Sequence, residues 1–241
     1  MGFASEYLSD RVLYEPFISG GPDRKTAIIV IIPAFNEPEI LRTVDSLARC
    51  EKPGCEVEVL IHVNASASAS GEELEANKAT VNNIMSRAEE TGLPFRLHVF
   101  DTGKSAIKGW GAGLARKVVM DEAVRRFSSV DNPEGLIVSL DADCIVAENY
   151  LVSLYRDFYK IPERRACSIY FEHPTGGNEF GEDIYRAVTI YELHMRYYYQ
   201  GLKYSMFPRV YHTVGSAFAV RADTYVRSGG MNRQQAGEDF Y

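Results

Sequence analysis

No run in the 241 residues reaches the ~18 consecutive apolar positions that a membrane-spanning helix needs. Residues 1–6 lack the basic and apolar regions of a secretory leader, and Glu6 breaks the myristoylation pattern. Basic side chains are outnumbered, 26 against 33 acids. The resulting net charge of −7 is the reverse of the basic footprint of a nucleic-acid binder, so no such partner is expected. Cysteine is scarce, and Cys50, Cys55, Cys144 and Cys167 do not have metal-binding spacing. They read as reduced thiols, which suits a cytoplasmic location. No internal repeat and no long low-complexity tract is present. The remaining 46% hydrophobic and 24% charged content is ordinary for a globular chain of one large or two small domains.

What the sequence does have is a rhythm of apolar runs and amphipathic stretches. Residues 1–26 read as a polar, aromatic-flecked extension ending in a Gly-Gly-Pro-Asp turn signal. Residues 27–33 form an unbroken apolar run, as in a strand buried on both faces. Pro38 suits the first turn of a helix capped by Asn36 or Glu37, and Ile40, Leu41, Val44, Leu47 and Ala48 recur at helical spacing. A second strand over 56–63 ends at Asn64, and a third over 95–100 ends at Asp101. Helices with stripes at Leu74, Val81, Ile84, Met85, Ala88 and at Ala115, Val119, Met120, Ala123, Phe127 follow them. Strand–helix alternation of this kind predicts a parallel sheet with helices on both faces, a Rossmann-like α/β architecture. Beyond residue 148 the spacing predicts a short helix at 150–159, a strand at 166–171, a long Tyr-rich helix and a strand within 210–220.

The fourth strand, residues 136–140, ends in Asp141-Ala142-Asp143. Ligands of open α/β sheets bind outside the carboxyl ends of the strands. Side chains two apart on an extended chain face the same way. Two carboxylates held together are best tolerated with a cation between them, and few carboxylates plus substrate phosphates is the usual setting for Mg²⁺. The plain alternative is a polar strand end capping the next helix.

Three pieces occur in order: Ile32-Pro33-Ala34-Phe35-Asn36-Glu37, Leu140-Asp141-Ala142-Asp143 and Gly237-Glu238-Asp239. Between them lie the Gly-rich stretch 108–117 and the stretch 215–221 followed by Gly229-Gly230-Met231. Together, over residues 27–241, they resemble the inverting nucleotide-sugar glycosyltransferases of family 2, whose fold is called GT-A. The resemblance implies a nucleotide-sugar donor (UDP- or GDP-sugar), a Mn²⁺ or Mg²⁺ ion held by Asp143 with Asp141 beside the ribose or the ion's water shell, and a nucleoside met by Pro33, Ala34 and Glu37. It implies a general base on Asp239, next to Glu238. An ionised carboxylate there accepts the acceptor's proton as the new bond forms. Backbone N–H groups at the start of the Gly-rich helix, near Lys108 and Gly111, are expected to help hold anionic or sugar groups; the glycines serve close packing equally well. Acceptors in such a family are sugars or lipid-linked sugars, often in surface polysaccharide synthesis.

The pattern departs from the family at Asn64, where many members carry a base-binding acid. Asn64 can pair with a base edge but does not name the base. The chain stops two residues after Asp239, so the expectation is a transferase domain lacking its C-terminal part, through which peripheral membrane association at the inner face would run. His212 and Trp110 are candidates for ligand contact or for simple packing. Tyr191, Tyr197, Tyr198, Tyr199 and Tyr204 offer rings to a sugar acceptor, though helical spacing assigns some of them to a core. The alternatives are a haloacid-dehalogenase-type phosphatase, a sugar-phosphate nucleotidyltransferase and a non-catalytic nucleotide-sugar-binding domain. In the first, Asp-x-Asp continues Gly-Thr and opens the domain, whereas here Cys144-Ile145 follows and several strand–helix units precede. The second should begin with a Gly-rich, Arg-bearing loop after its first strand. The third needs no base, and both acid pairs are kept.

Overall fold

A computed structural model describes residues 2–208, 210–211 and 214–237. These form one six-stranded sheet and seven helices. In chain order they are α1 (Ser5–Asp10), β1 (Thr26–Ala34), α2 (Ile40–Ala48), β2 (Glu56–Ala65), α3 (Gly71–Thr91), β3 (Arg96–Lys104), α4 (Ala112–Ser129), β4 (Leu136–Ser139), α5 (Tyr150–Lys160), β5 (Ala166–Ser168), α6 (Glu182–Tyr204), β6 (Phe218–Arg221) and α7 (Ala222–Arg227). The sheet order is β3-β2-β1-β4-β6-β5. The strands β1 to β4 are parallel, and β6 runs antiparallel to both β4 and β5.

The apolar run of β1 is unbroken because both of its faces are covered. Ile28, Val30, Ile32 and Ala34 join a core with α2, α3 and α5, while Ile29 and Ile31 join a second core with α1, α4 and α7. The mostly parallel sheet with helices on both faces is therefore as the alternation predicts. The details differ in places, and the strand expected at 166–171 is confined to Ala166–Ser168. β4 ends at Ser139, and residues 141–144 form a turn closed by the Cys144 N–H on the Asp141 carbonyl at 3.3 Å. Helix α2 starts at Ile40, with Glu39 rather than Asn36 or Glu37 at its cap position, and Pro38 lies in the turn before it. On α3, Met85 is exposed and the buried face is Asn77, Thr80 and Ile84.

Helix α4 is buried almost all round, although it carries Arg116, Lys117, Asp121, Glu122 and Arg126. Buried charges persist when paired. The partners come largely from residues 1–20, which lie along this helix. The Tyr7 hydroxyl donates to Asp121 Oδ1 at 2.6 Å and accepts from Lys117 Nζ at 2.9 Å. The Tyr225 hydroxyl also donates to Asp121, at 2.9 Å. The N–H groups of Phe17 and Ile18 donate to Glu122, and Arg126 pairs with Glu58 of β2. Phe17 stacks on Phe100, 4.7 Å between ring centroids. No helix among the described residues is long and apolar enough to cross a membrane.

Candidate active site

From β1 the chain moves outward to β2 and β3, then crosses back to β4 on the other side of β1. The carboxyl ends of β1 and β4 therefore flank the point where the strand order reverses, where an open α/β sheet leaves a ligand crevice. Glu37 follows β1 and Asp141 and Asp143 follow β4, so all three carboxylates come to this crevice. The gathering is visible in Glu37. Its carboxyl is raised above the usual range by burial, then by the negative charges of Asp143 and Asp141.

The turn that carries the two aspartates is tied to α2. Thr43 Oγ1 donates to the Ala142 carbonyl at 2.7 Å, and the Val146 N–H donates to Ser46 Oγ at 3.2 Å. Asp143 is exposed, and Asp141 is half-buried and held from the α4 side. The Arg116 guanidinium donates to Asp141 Oδ1 at 2.9 Å and to Ser139 Oγ at 2.8 Å, while Ser139 Oγ donates to the Gly215 carbonyl at 2.6 Å. A Cβ at Gly215 would lie 2.5 Å from Arg116 Nη2, so glycine there makes room for the guanidinium. Arg116 was not among the expected site residues. Its signal was available: a charge on the same helical stripe as Val119, Ala123 and Phe127 must have a buried partner.

The chain has the architecture of solved structures with bound sugar nucleotides. It is similar to residues 1–349 of TarS from S. aureus in complex with UDP-GlcNAc, at 14% identity over 88% of this chain and 50% of that one, TM-score 0.52. It is also similar to the mannosyltransferase PcManGT from Pyrobaculum calidifontis in complex with GDP-Man and Mn²⁺, at 16% identity over 98% of this chain and 55% of that one, TM-score 0.52. The fold is GT-A. The chain spans about half the length of the solved structures it matches. No protein-family model matches it, and no curated protein matches it in sequence.

Within this GT-A frame the other expected contact residues take varied places. Pro33 is half-buried past the last β1–β4 pair, and the buried Ala34 gives its carbonyl to Asn64 Nδ2 at 2.9 Å. The Asn64 amide is engaged by the protein itself. Its nitrogen reaches the Ala34 and His62 carbonyls, and its oxygen accepts from Trp110 Nε1 at 2.8 Å. Asn64 thus pins the first two strand ends to the Gly-rich loop, and the geometry does not present its amide to a base. Its carbonyl accepts from Asn77, whose own oxygen accepts the N–H of Asn36, a residue with φ of 53°. Trp110 is buried among Leu114, Ala115 and Val118, so it anchors the loop rather than stacking on a ligand.

Lys108 is exposed beside this loop. At the helix start, the Gly113 N–H donates to the Gln235 carbonyl at 3.1 Å, so this donor serves the protein's own chain and not an anion. A Cβ at Gly111 would meet that same carbonyl at 2.5 Å, which gives this glycine a packing reason. Gln235 lies three and four residues before Glu238 and Asp239. Those two, with His212, fall outside the described residues. No group of three or more His, Cys, Asp or Glu among the described residues is placed to hold a metal ion unaided.

Proposed function

We propose that this chain transfers a sugar from a nucleotide diphosphate to an acceptor hydroxyl, in a metal-dependent, inverting reaction. The observation that carries the reading is the meeting of Glu37, Asp141 and Asp143 where the strand order reverses. With Arg116 offsetting one of the three charges, the crevice retains an excess of negative charge, and this suits a divalent cation. The donor set fits a hard ion that takes one or two carboxylates and completes its shell with diphosphate oxygens and water. Asp143, exposed and without a cationic partner in the described contacts, would hold it, with Asp141 alongside. Such an ion stabilises the charge that collects on the departing diphosphate.

The chain's own groups do the rest. Thr43 and Ser46 fix the turn, and Arg116 fixes the orientation of Asp141. Asp239 accepts the proton from the acceptor hydroxyl as that oxygen bonds the anomeric carbon on the face opposite the diphosphate, so one displacement inverts the configuration. A phosphatase using Asp141 as nucleophile fits poorly, because that carboxylate is bound by a buried guanidinium at 2.9 Å. The bound sugar nucleotides of the GT-A structures above support the donor class, UDP- or GDP-sugar. The acceptor is a sugar or lipid-linked sugar in this reading.

Thermal unfolding with UDP or GDP, each with Mn²⁺, Mg²⁺ or chelator, tests it. A nucleotide at ~100 times its Kd should stabilise the fold by about 2.7 kcal/mol. That gain should need the metal and vanish in Asp143→Ala. Asp239→Asn should retain nucleotide binding and lose about 10²–10⁴-fold in transfer rate. If neither nucleotide stabilises the chain with either metal, the proposal is wrong.

A further inference from the structure

A cavity of about 180 Å³ lies between the end of β5 and α6. Its position follows from topology. Because β6 is antiparallel to both β4 and β5, β5 runs the same way as β4. Residues 169–171, which follow β5, therefore emerge on the same edge of the sheet as Glu37, Asp141 and Asp143. Among the described residues, the strip 214–217 bridges the two. It is bonded to one side through the Ile169 N–H on the Ala217 carbonyl at 2.7 Å, and to the other through Ser139 Oγ on the Gly215 carbonyl at 2.6 Å.

The lining combines two chemistries. Tyr170, Phe171, Tyr199 and Tyr211 supply rings, and Glu192 and Arg196 supply charge. Glu192 is the one buried residue of the 23-residue α6, on a helix whose Ile190, Leu193 and Tyr197 are all exposed. An inward carboxylate on an otherwise outward helix persists here because it is paired. Its Oε1 accepts from the His173 backbone N–H at 3.0 Å and lies 2.6 Å from His173 Nδ1; its Oε2 is 3.3 Å from the Arg196 guanidinium. Arg196 in turn donates to the Tyr170 hydroxyl at 3.1 Å and lies over that ring. The rim is therefore held by the same charges that face the cavity.

A simple anion gains little here, because Glu192 cancels Arg196. A purely apolar molecule would leave the polar atoms of that rim without a contact to the ligand. A neutral ring with one apolar face and a rim of hydroxyls suits both parts: its C–H face lies on the aromatic rings and its hydroxyls bond the carboxylate and guanidinium. The cavity has room for one such ring.

We propose that this cavity binds one neutral pyranose unit of the acceptor. The assignment rests on the glycosyl-transfer reading and adds to it where the acceptor sits. Saturation-transfer NMR with the methyl glycosides of glucose, galactose, mannose and N-acetylglucosamine tests it, with UDP or GDP and Mn²⁺ binding measured on the same samples. Wild type should bind at least one glycoside. Glu192→Gln and Tyr199→Ala should each weaken it by about tenfold, the loss of one strong contact, with nucleotide affinity unchanged. Tyr211→Ala, an exposed ring whose removal leaves the core intact, gives the same comparison should the other variants fold poorly. Nucleotide binding without any glycoside binding, or glycoside affinity unaltered in the variants, overturns the cavity's assignment alone. Glycoside binding that the variants lose, without any nucleotide binding, upholds the saccharide site and refutes the transferase reading.

Discussion

Replacing Gly215 by alanine should destabilise the protein, although the general rule for such a change is the opposite. Gly215 does not have the left-handed backbone that excludes other residues. Gly→Ala at a compatible position stabilises by about 0.4–1 kcal/mol through the unfolded chain. Here the new methyl carbon would lie 2.5, 2.8 and 3.0 Å from Nη2, Cζ and Nε of Arg116. Carbon contacts settle near ~3.5 Å, so the guanidinium must retreat by about 1 Å. It is buried, and it holds Ser139 and Asp141 at 2.8 and 2.9 Å. Losing one charge-assisted bond costs about 1.5–3 kcal/mol. The net expectation is a loss of about 1–2.5 kcal/mol, or roughly 3–8 °C in Tm for a domain of this size. Urea unfolding of wild type, Gly215→Ala, Arg116→Met and the double variant measures it. With methionine at 116 the added methyl meets a flexible apolar chain, so the alanine's cost should shrink by about 1–2 kcal/mol of coupling. A Gly215→Ala protein as stable as wild type, or strictly additive costs in the double variant, would refute the reasoning.

Two other outcomes follow from the core beside the site. Burial holds His62 down at about 4, against the pull of the Ala115 carbonyl, while the unfolded chain protonates near 6.5. The unfolded state thus binds the extra proton first. The neutral native form keeps its full advantage above pH 6.5 and loses about 3 kcal/mol as pH falls towards 4. Urea unfolding between pH 7 and about 5 should show that slope, and His62→Gln should flatten it; an unchanged slope would count against a buried neutral His62. Trp110→Phe removes the donor to Asn64 Oδ1 and leaves a buried acceptor unpaired, a loss of about 1–3 kcal/mol by the same unfolding measurement. A change below about 0.5 kcal/mol would mean that water or a neighbour replaces the indole.

The central sheet was legible because a strand buried on both faces needs an unbroken apolar run, which residues 27–33 have, while 56–63 and 136–140 are apolar-rich segments between helical stripes. The carboxylates were legible too, because ligand crevices form at strand ends. Their neighbours were not. Asp141 and Asp143 were expected to align through strand alternation, but the strand stops at Ser139 and the turn brings them to the crevice instead. Arg116 stands out as a charge on an apolar stripe, but only the fold names its partner, Asp141, 25 positions away. Asn64 is suited to either a base or a backbone, and only the approach of Ala34 and Trp110 decides between them. The Tyr-rich helix was expected to bury part of its stripe. Among the described residues Tyr191, Tyr197, Tyr198 and Tyr204 stay exposed, and Glu192 is the side chain taken inside. Residues 1–26 gave no signal because their partners are the charges of α4, which composition places on a surface.

The packing of the first residues along α4 gives the chain's beginning a mechanical link to its chemistry. Arg116 and Lys117 are consecutive. The first grips the acid beside the crevice, and the second grips Tyr7 and Asp121. Adjacent positions of one helix thus hold the two groups on different sides of it. A protein trimmed to residue 27, where the apolar strands begin, would keep every residue expected to meet the donor. It would also expose the charged flank of α4, with Lys117, Asp121 and Glu122, to water.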